Sequence, residues 1–574
     1  MNKKKQRQIL TLDDKPLEKV PLKEYPRPQF VRDSYICFNG EWDFEISSYN
    51  GLPTKYNRKI IVPFVPESLL SGVNTYINKG EFIFYRKKFN LSKKFVKDLV
   101  FLHVDASDQF TDVYINGHHV ASHSEGYLPL TSEIHSFIKY RDNELVIRVK
   151  DDLSKVIPYG KQSEKSHGMW YTKFTGIWKS VWLESVNTKH FENLQIRSNL
   201  EAVRIRSNGI GDNKKVIIHT EDGDIIKDFD EDITIKLPHP HLWSPEDPYL
   251  YNFELISDTD HVKSYFALRT IEVDKNDNSR ILFNGKPIFF HGLLDQGYWP
   301  DGIVTPKSYK YFEKEIKELK ALGFNTLRKH IKVEPLYFYY LCDKLGMFVF
   351  QDMVNNNKYS IFKHGIPPVV FEKIHKKNFG KHDNRAYRQA FAKSMEGTVS
   401  LLSNSPCVVY YTIFNEGWGQ THPNSFYEYM KQLNLGPLVD STSGWYFADE
   451  SDVYSYHIYF RKLKLYKEKV IRPKLISEFG GYVYKIPEHS FNLYKTFGYK
   501  IFKTKEEFQK GFKDLYMNEV IPLIDQGLQG AIYTQVSDVE DETNGLFTYD
   551  RKVLKVSKKD CLCIKKAIDS KVGQ

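Results

Sequence analysis

The sequence predicts a multidomain β and α/β chain: two β-sandwiches followed by a C-terminal (β/α)8 TIM barrel. Three observations predict it. The chain has 574 residues, too many for one hydrophobic core. Up to about residue 273, short alternating strands recur between Gly, Asn and Pro turns, as in sandwiches. From about residue 274, strand-like and helical stretches alternate, as in a barrel of parallel strands.

The first domain is placed at residues 1–186. It carries LVFLHVDAS (99–107), DVYINGHHV (112–120), NELVIRVK (143–150) and SVWLESV (180–186). Asn116-Gly117 is a hairpin turn signal, since both residues tolerate positive φ. A second strand-rich stretch, 187–273, closes with HLWSPEDPYLYNFELI (241–256) and SYFALRTIEV (264–273), and its length suits an immunoglobulin-like sandwich. The third domain spans 274–574. Its strand-like runs are KPIFFHGLL (286–294), FNTLRKH (324–330), MFVFQDM (347–353), VVYYTIFNE (408–416), WYFAD (445–449), VYSYHIY (453–459), KLISEFG (474–480) and AIYTQVSD (531–538). Helical periodicity separates several of them, as in SYKYFEKEIKELKALG (308–323) and EPLYFYYLCDKLG (334–346). Eight strands is the barrel count.

Composition excludes several classes. A net charge of +10 from 82 basic and 72 acidic residues is mild and dispersed, so no nucleic-acid partner is expected. MNKKKQRQ at the N-terminus reads as a solvated tail and is not followed by the apolar stretch of a secretory signal. No run of about eighteen apolar residues occurs, so no membrane span is expected. Five cysteines, with one lone Cys-x-Cys (Cys561, Cys563), read as free thiols in a cytoplasmic protein without a structural metal. No H-E-x-x-H, Walker-A, dinucleotide or G-x-S-x-G signature is found, and no cofactor is expected.

The chemistry concentrates at strand ends. VVYYTIFNEGWGQ (408–420) and PKLISEFGGY (473–482) are apolar runs buried on both faces, and they end in Glu416 and Glu478. Active sites of such barrels lie at the C-terminal strand ends, where Arg328, His330, Asp352, Asn415, Asp449, His457 and Asp538 also fall. Two carboxylates on such a rim suit glycoside hydrolysis, one as general acid and base, the other as nucleophile. Each is equally compatible with a charge at a helix start. Asn415 is a candidate for the sugar 2-hydroxyl or an Asx-turn residue. Tyr456 and His457 are candidates for orienting the nucleophile, with a core tyrosine as the rival reading. Arg328 is a candidate for lowering the pKa of Glu478, or a rim ion pair. Trp418 and Trp299 are stacking candidates, with plain packing an equal contender.

Taken together, these residues resemble glycoside hydrolase family 2, the group of β-galactosidases, β-glucuronidases and β-mannosidases. FNGEWDF (38–44), IVPFVPES (61–68), FYRKKF (84–89), DVYINGHHV, EGYLPLTSEI and TGIWKSVWLE (175–184) look like its N-terminal sugar-binding-type jelly roll. LWSPEDPYLY looks like the end of its immunoglobulin-like domain. GFNTLRKHIKVEP, DKLGMFVFQDM, IFNEGWGQ, DSTSGW, ISEFGG and YTQVSDVEDETNGLFTYDRKV resemble its barrel. The resemblance implies that Glu416 is acid/base, Glu478 is nucleophile and anomeric configuration is retained. The first strand departs from the family pattern, reading HGLLDQGYWPDG (291–302), where Asp295 is the candidate for the sugar contacts. Glucuronidases of the family carry N-x-K-G late in the barrel, and here Glu542-Thr543-Asn544-Gly545 stands without the lysine. The expectation is therefore an exo-acting retaining β-glycosidase for a neutral sugar, galactose first. Its alternatives are a β-mannoside, an α-L-arabinopyranoside, a β-glucuronide, or a non-catalytic carbohydrate-binding protein. The substrate expected is a small-molecule or oligosaccharide glycoside. The long stretch 355–384 is a candidate for shaping the aglycone site or for a homo-oligomer contact.

Overall fold

The computed structural model describes residues 9–11, 15–355, 362, 384–433 and 436–572, so most of the 355–384 stretch lies outside the described residues. In the first domain a six-stranded sheet (Arg58–Val62, Gly40–Ser47, Phe82–Phe89, Asn143–Lys150, Phe110–Ile115, His118–His123) faces a four-stranded one (Tyr35–Cys37, Val181–Val186, Leu99–Val104, Leu130–Glu133). Alternation sends Leu145, Ile147 and Val149 of one sheet and Leu102, Val104 and Leu183 of the other into a shared core. The hairpin turns at Asn116 and Gly117, both at positive φ (49° and 83°). This match was legible because only Gly and Asn enter that region cheaply.

The second sandwich pairs three strands (Gln195–Ser198, Ala202–Arg206, Asp232–Lys236) with four (Gly223–Asp228, Lys215–Thr220, Tyr251–Ile256, His261–Phe266). Buried Arg32 ties the two sandwiches together. It forms hydrogen bonds to Asp260 of the second at 2.7 and 2.9 Å and to Glu184 of the first at 3.0 Å.

Eight parallel strands form the barrel: β1 (Phe290–Asp295), β2 (Thr326–Lys329), β3 (Phe348–Asp352), β4 (Val408–Asn415), β5 (Leu438–Ser443), β6 (Tyr454–Ile458), β7 (Lys474–Gly480) and β8 (Leu528–Thr534). They pair in the order β5-β4-β3-β2-β1-β8-β7-β6. The seam between β5 and β6 is bridged by Gly444 N–H donating to Ser455 O at 3.1 Å. Helices α1 (Lys310–Ala321) and α2 (Leu336–Leu345) follow β1 and β2. The α2 helix stops at Gly346, whose φ of 75° is the left-handed C-terminal cap that glycine permits.

One expected strand is corrected. The stretch 445–449 is irregular, and the fifth strand is LVDSTS, 438–443. All six of its residues are buried, and hydrogen bonds inside the barrel satisfy part of their polar atoms, though not Asp440 Oδ2 or Ser441 Oγ among the described residues. Ser443 Oγ, for example, lies 2.7 Å from His457 Nε2 and 2.9 Å from Ser477 Oγ. Among the described residues no helix is long and apolar enough to cross a membrane, and none of the five cysteines forms a disulfide.

The rim is not built by the barrel alone. Tyr171, Trp170 and Trp178 of the first domain pack with Tyr298, Ile331, Trp418 and Tyr549 from loops that follow barrel strands. The first sandwich therefore walls one side of the barrel mouth.

Candidate functional site

Glu416 and Glu478 end on neighbouring parts of the rim. Glu416 follows β4 directly and holds a φ of 50°, a left-handed conformation unusual for a glutamate and typical of residues over-determined by their surroundings. Its N–H is anchored on Ser443 O at 2.8 Å. Gly444 explains part of that constraint. A Cβ there would lie 3.2 Å from Glu416 Cγ and 3.3 Å from His457 Nδ1, and its φ is 110°.

A carboxylate oxygen of Glu416, one of Glu478 and a ring nitrogen of His457 all lie within 4.8 Å of one another. His457 Nδ1 is 2.8 Å from Glu416 Oε1. On its other side Nε2 faces Arg328 Nη1 at 3.2 Å. A guanidinium only donates, so Nε2 accepts and Nδ1 carries the proton, donating it to Glu416 Oε1. Burial holds His457 at about 3, so it stays neutral. Burial also lifts Glu416 to about 7, against the pull of Lys161 and Arg328 and with the push of Glu542. Since Oε1 accepts from His457, Oε2 is the oxygen that carries the acidic proton.

Glu478 is held differently. Oε1 accepts from Arg328 Nη1 at 3.0 Å and Oε2 from Tyr459 O–H at 2.6 Å. Burial raises its pKa, with His457 and Arg328 opposing. Arg328 is the hub of the site: it also donates to Asp352 Oδ1 at 3.0 Å and to Asn415 Oδ1 at 2.9 Å. The last bond orients the Asn415 amide, leaving Nδ2 with no hydrogen-bond partner among the described residues.

The set Glu416, His457 and Glu478 also has metal-ligand spacing. The donors do not suit an ion. Both ring nitrogens are engaged, and the Arg328 guanidinium already sits against Glu478.

Three family models cover nearly the whole chain. "Glycosyl hydrolase 2 galactose-binding domain-like" matches residues 57–186, "Glycosyl hydrolases family 2" matches 186–269, and "Glycosyl hydrolases family 2, TIM barrel domain" matches 272–559. The chain belongs to glycoside hydrolase family 2.

Curated relatives of this family-2 chain include a β-galactosidase of Thermoanaerobacter pseudethanolicus, 25% identical over 57% of this chain and 45% of that one. A β-glucuronidase of Mus musculus is 23% identical over 70% of this chain and 66% of that one. The chain thus spans only part of the curated relatives it matches. Among solved structures, a β-glucuronidase of an uncultured Clostridium sp. superposes with a TM-score of 0.73 at 17% identity, covering 93% of this chain and 98% of that one. A β-galacturonidase of Eisenbergiella tayi bound to galacturonate gives 0.66 at 17% identity, covering 93% and 97%.

Of the residues singled out in the sequence, this family-2 chain gathers Glu416, Glu478, Asn415, His457 and Arg328 around one point. His330 supports that group at one remove, its Nδ1 lying 2.6 Å from Asp352 Oδ2. Trp418 stands on the rim, 5.0 Å from Trp170 and 6.5 Å from His330 between ring centroids.

Four others lie elsewhere. Tyr456 points outward: it donates to Glu468 Oε1 at 2.7 Å and packs on Phe447 and Tyr466. The two-residue period of β6 requires this once His457 faces inward. Asp449 is exposed in the irregular stretch after Gly444, its carbonyl accepting from Arg472 at 2.6 Å. Asp295 is spent on Lys329, whose ammonium lies 2.6 Å away. Trp299 is buried beneath Arg551 and against Phe312 of α1, which is ordinary packing.

The residues that sequence reasoning missed are Tyr459 and Trp445. Tyr459 sits two positions after His457, so the same alternation that excludes Tyr456 points to it. Trp445 packs edge-on against His457 at 5.5 Å.

Proposed function

We propose that this protein is a retaining exo-β-glycosidase. The observation that carries the proposal is the separation of Glu416 and Glu478. An oxygen-to-oxygen distance within 4.8 Å suits a nucleophile and an acid acting on one anomeric carbon. It lies nearer the roughly 5–5.5 Å of retaining enzymes than the roughly 6.5–9.5 Å at which inverting enzymes hold their carboxyl groups.

In the first step Glu416 gives its Oε2 proton to the glycosidic oxygen while a Glu478 oxygen bonds to the anomeric carbon. The aglycone leaves as an alcohol and a glycosyl ester remains on Glu478. In the second step Glu416, now anionic, takes a proton from water, whose oxygen displaces Glu478. Asn415 Nδ2, left without a partner while Oδ1 accepts from Arg328, donates to the sugar 2-hydroxyl. The test is hydrolysis of a panel of aryl β-glycosides with the first-formed anomer read by proton NMR. The β-anomer is expected; the α-anomer would rule out double displacement.

Two further outcomes follow from the geometry. Catalysis of the first step needs protonated Glu416, so kcat/KM is expected to fall as pH rises through about 7. A pH profile still flat at about pH 9 would remove Glu416 as the acid. Tyr459→Phe deletes one of the two donors to Glu478. It is expected to lower kcat/KM by about 10- to 100-fold with the fold intact, the scale of one hydrogen bond to a charged group. An unaffected rate would show that Tyr459 only packs.

The glycone is the finer question. The relatives of this chain include β-galactosidases and β-glucuronidases. A neutral galactoside is favoured by Glu542 and Asn544, which stand where family glucuronidases place Asn and Lys. One observation in the rim weighs the other way, the Lys161 ammonium.

A further inference from the structure

Lys161 belongs to the first sandwich, yet its side chain lies in the wall of the barrel mouth. It precedes Gln162–Ser163, which pairs in parallel with Tyr171–Thr172, and its carbonyl accepts from Tyr171 N–H at 2.9 Å. The residue is 6% exposed. Its ammonium sits 5.4 Å from the Trp418 ring centroid and 5.8 Å from that of Tyr171. Among the described residues no carboxylate or carbonyl accepts a hydrogen bond from it.

That sets it apart from the other deeply buried lysines. Lys329 and Lys332 donate to Glu334, Lys555 to Asp538, Lys173 to the Asp151 carbonyl and Lys179 to the Tyr127 carbonyl. The nitrogen itself keeps some access to solvent, with two aromatic faces beside it and its donors unused. Its field nonetheless reaches Glu416, where Lys161 is the largest charge opposing the upward shift, and also Glu478, His330 and His457. Trp418, against which the ammonium sits, stands two positions after Glu416, so the ammonium lies on the rim of the reacting centre without bonding to it.

Nor does Glu542 form an ion pair with it. Glu542 Oε2 accepts from Tyr171 O–H, and Oε1 accepts from Asn544 Nδ2 at 3.1 Å. Tyr171 thus joins the Lys161 segment to the late-barrel segment around Glu542.

We propose that Lys161 is a specificity-determining residue supplied by the first sandwich, and that its ammonium binds an anionic substituent, a carboxylate or a sulfate ester, on the sugar held between Glu416 and Glu478. The inference rests on the glycosidase reading above. A neutral sugar would offer the ammonium only a hydroxyl, whereas an anion completes a charge-assisted hydrogen bond. A compact lysine charge accepts either carboxylate or sulfate, so the experiment must separate them.

The test compares kcat/KM for aryl β-galactoside, β-galacturonide, β-glucuronide and β-galactoside 6-sulfate in the wild type, Lys161→Gln and Lys161→Arg. The wild type is expected to prefer one acidic glycoside over the β-galactoside by about 10- to 100-fold, the scale of one bond to a charged group. Whichever acid is preferred names the substituent. Lys161→Gln should erase that ratio mainly through KM, and Lys161→Arg should restore part of it. A merely structural lysine would lower kcat on every substrate alike. A preference for the galactoside, or a ratio unchanged in Lys161→Gln, overturns the proposal while leaving the glycosidase reading standing. If no glycoside turns over, that reading falls. Calorimetry with free galacturonate, glucuronate, galactose 6-sulfate and galactose then judges Lys161 alone: tighter binding of an acid, lost in Lys161→Gln, supports it, and equal affinities overturn it.

Discussion

Glu478→Gln is expected to fold normally and to lose on the order of 10⁴-fold or more in kcat on aryl β-glycosides, the scale seen when a covalent nucleophile is removed. An amide cannot form the glycosyl ester, and it also removes the charge that offsets the developing positive charge at the anomeric carbon. Folding should survive because Arg328, the buried cation opposite Glu478, keeps its bonds to Asp352 and Asn415. The same experiment has a chemical counterpart. Incubation with a 2-deoxy-2-fluoro aryl glycoside should trap the intermediate, and peptide mass spectrometry should place the sugar on Glu478. Label on another carboxylate, or full activity in Glu478→Gln, would reassign the nucleophile.

For Glu416→Ala the size of the loss is expected to depend on the leaving group. Aglycones that need a proton to depart should slow by about 10²- to 10⁴-fold, the range of general acid catalysis. A dinitrophenolate, which departs unprotonated, should slow far less in the glycosylation step. Deglycosylation then becomes limiting, since no base remains to activate water. Added azide, which needs no base, should raise the rate and give a β-glycosyl azide. A uniform loss across leaving groups with no azide effect would place Glu416 in a structural role. The prediction draws on its surroundings: burial holds the acid near 7, and the His457 Nδ1–H bond to Oε1 leaves Oε2 to deliver the proton.

Local pattern made much of this legible. Val408–Asn415 is buried at every position, as its unbroken apolar run implied. The span of β7, Lys474–Gly480, matches the KLISEFG run, and α1 and α2 fall inside their periodic stretches. The errors share a cause. LVDSTS, with its Ser, Asp and Thr, lacks the apolar run that marks the other strands in the sequence. The burial of these polar residues depends on strands distant in sequence: Ser443 Oγ meets His457 of β6 and Ser477 of β7. Tyr456 and Tyr459 are both tyrosines near a strand end, and only the inward face of His457 tells which of them reaches the site. Trp299 and Asp295 lie where strand ends usually mean function, but Arg551 and Lys329, distant or invisible as partners in a linear reading, claim them.

Sequence alone specified the two sandwiches, the barrel and the pair of glutamates, because periodicity, turn residues and strand-end carboxylates are short-range signals written in consecutive residues. The tertiary structure decided how the pair works and what else stands beside it. The separation of Glu416 and Glu478, the Arg328 hub joining β2 to β4 and β7, and Lys161 reaching across from the first sandwich all depend on contacts between residues up to several hundred positions apart. No local pattern encodes such contacts. They exist only after packing has fixed which faces meet, and burial has then set the charge that each group can hold.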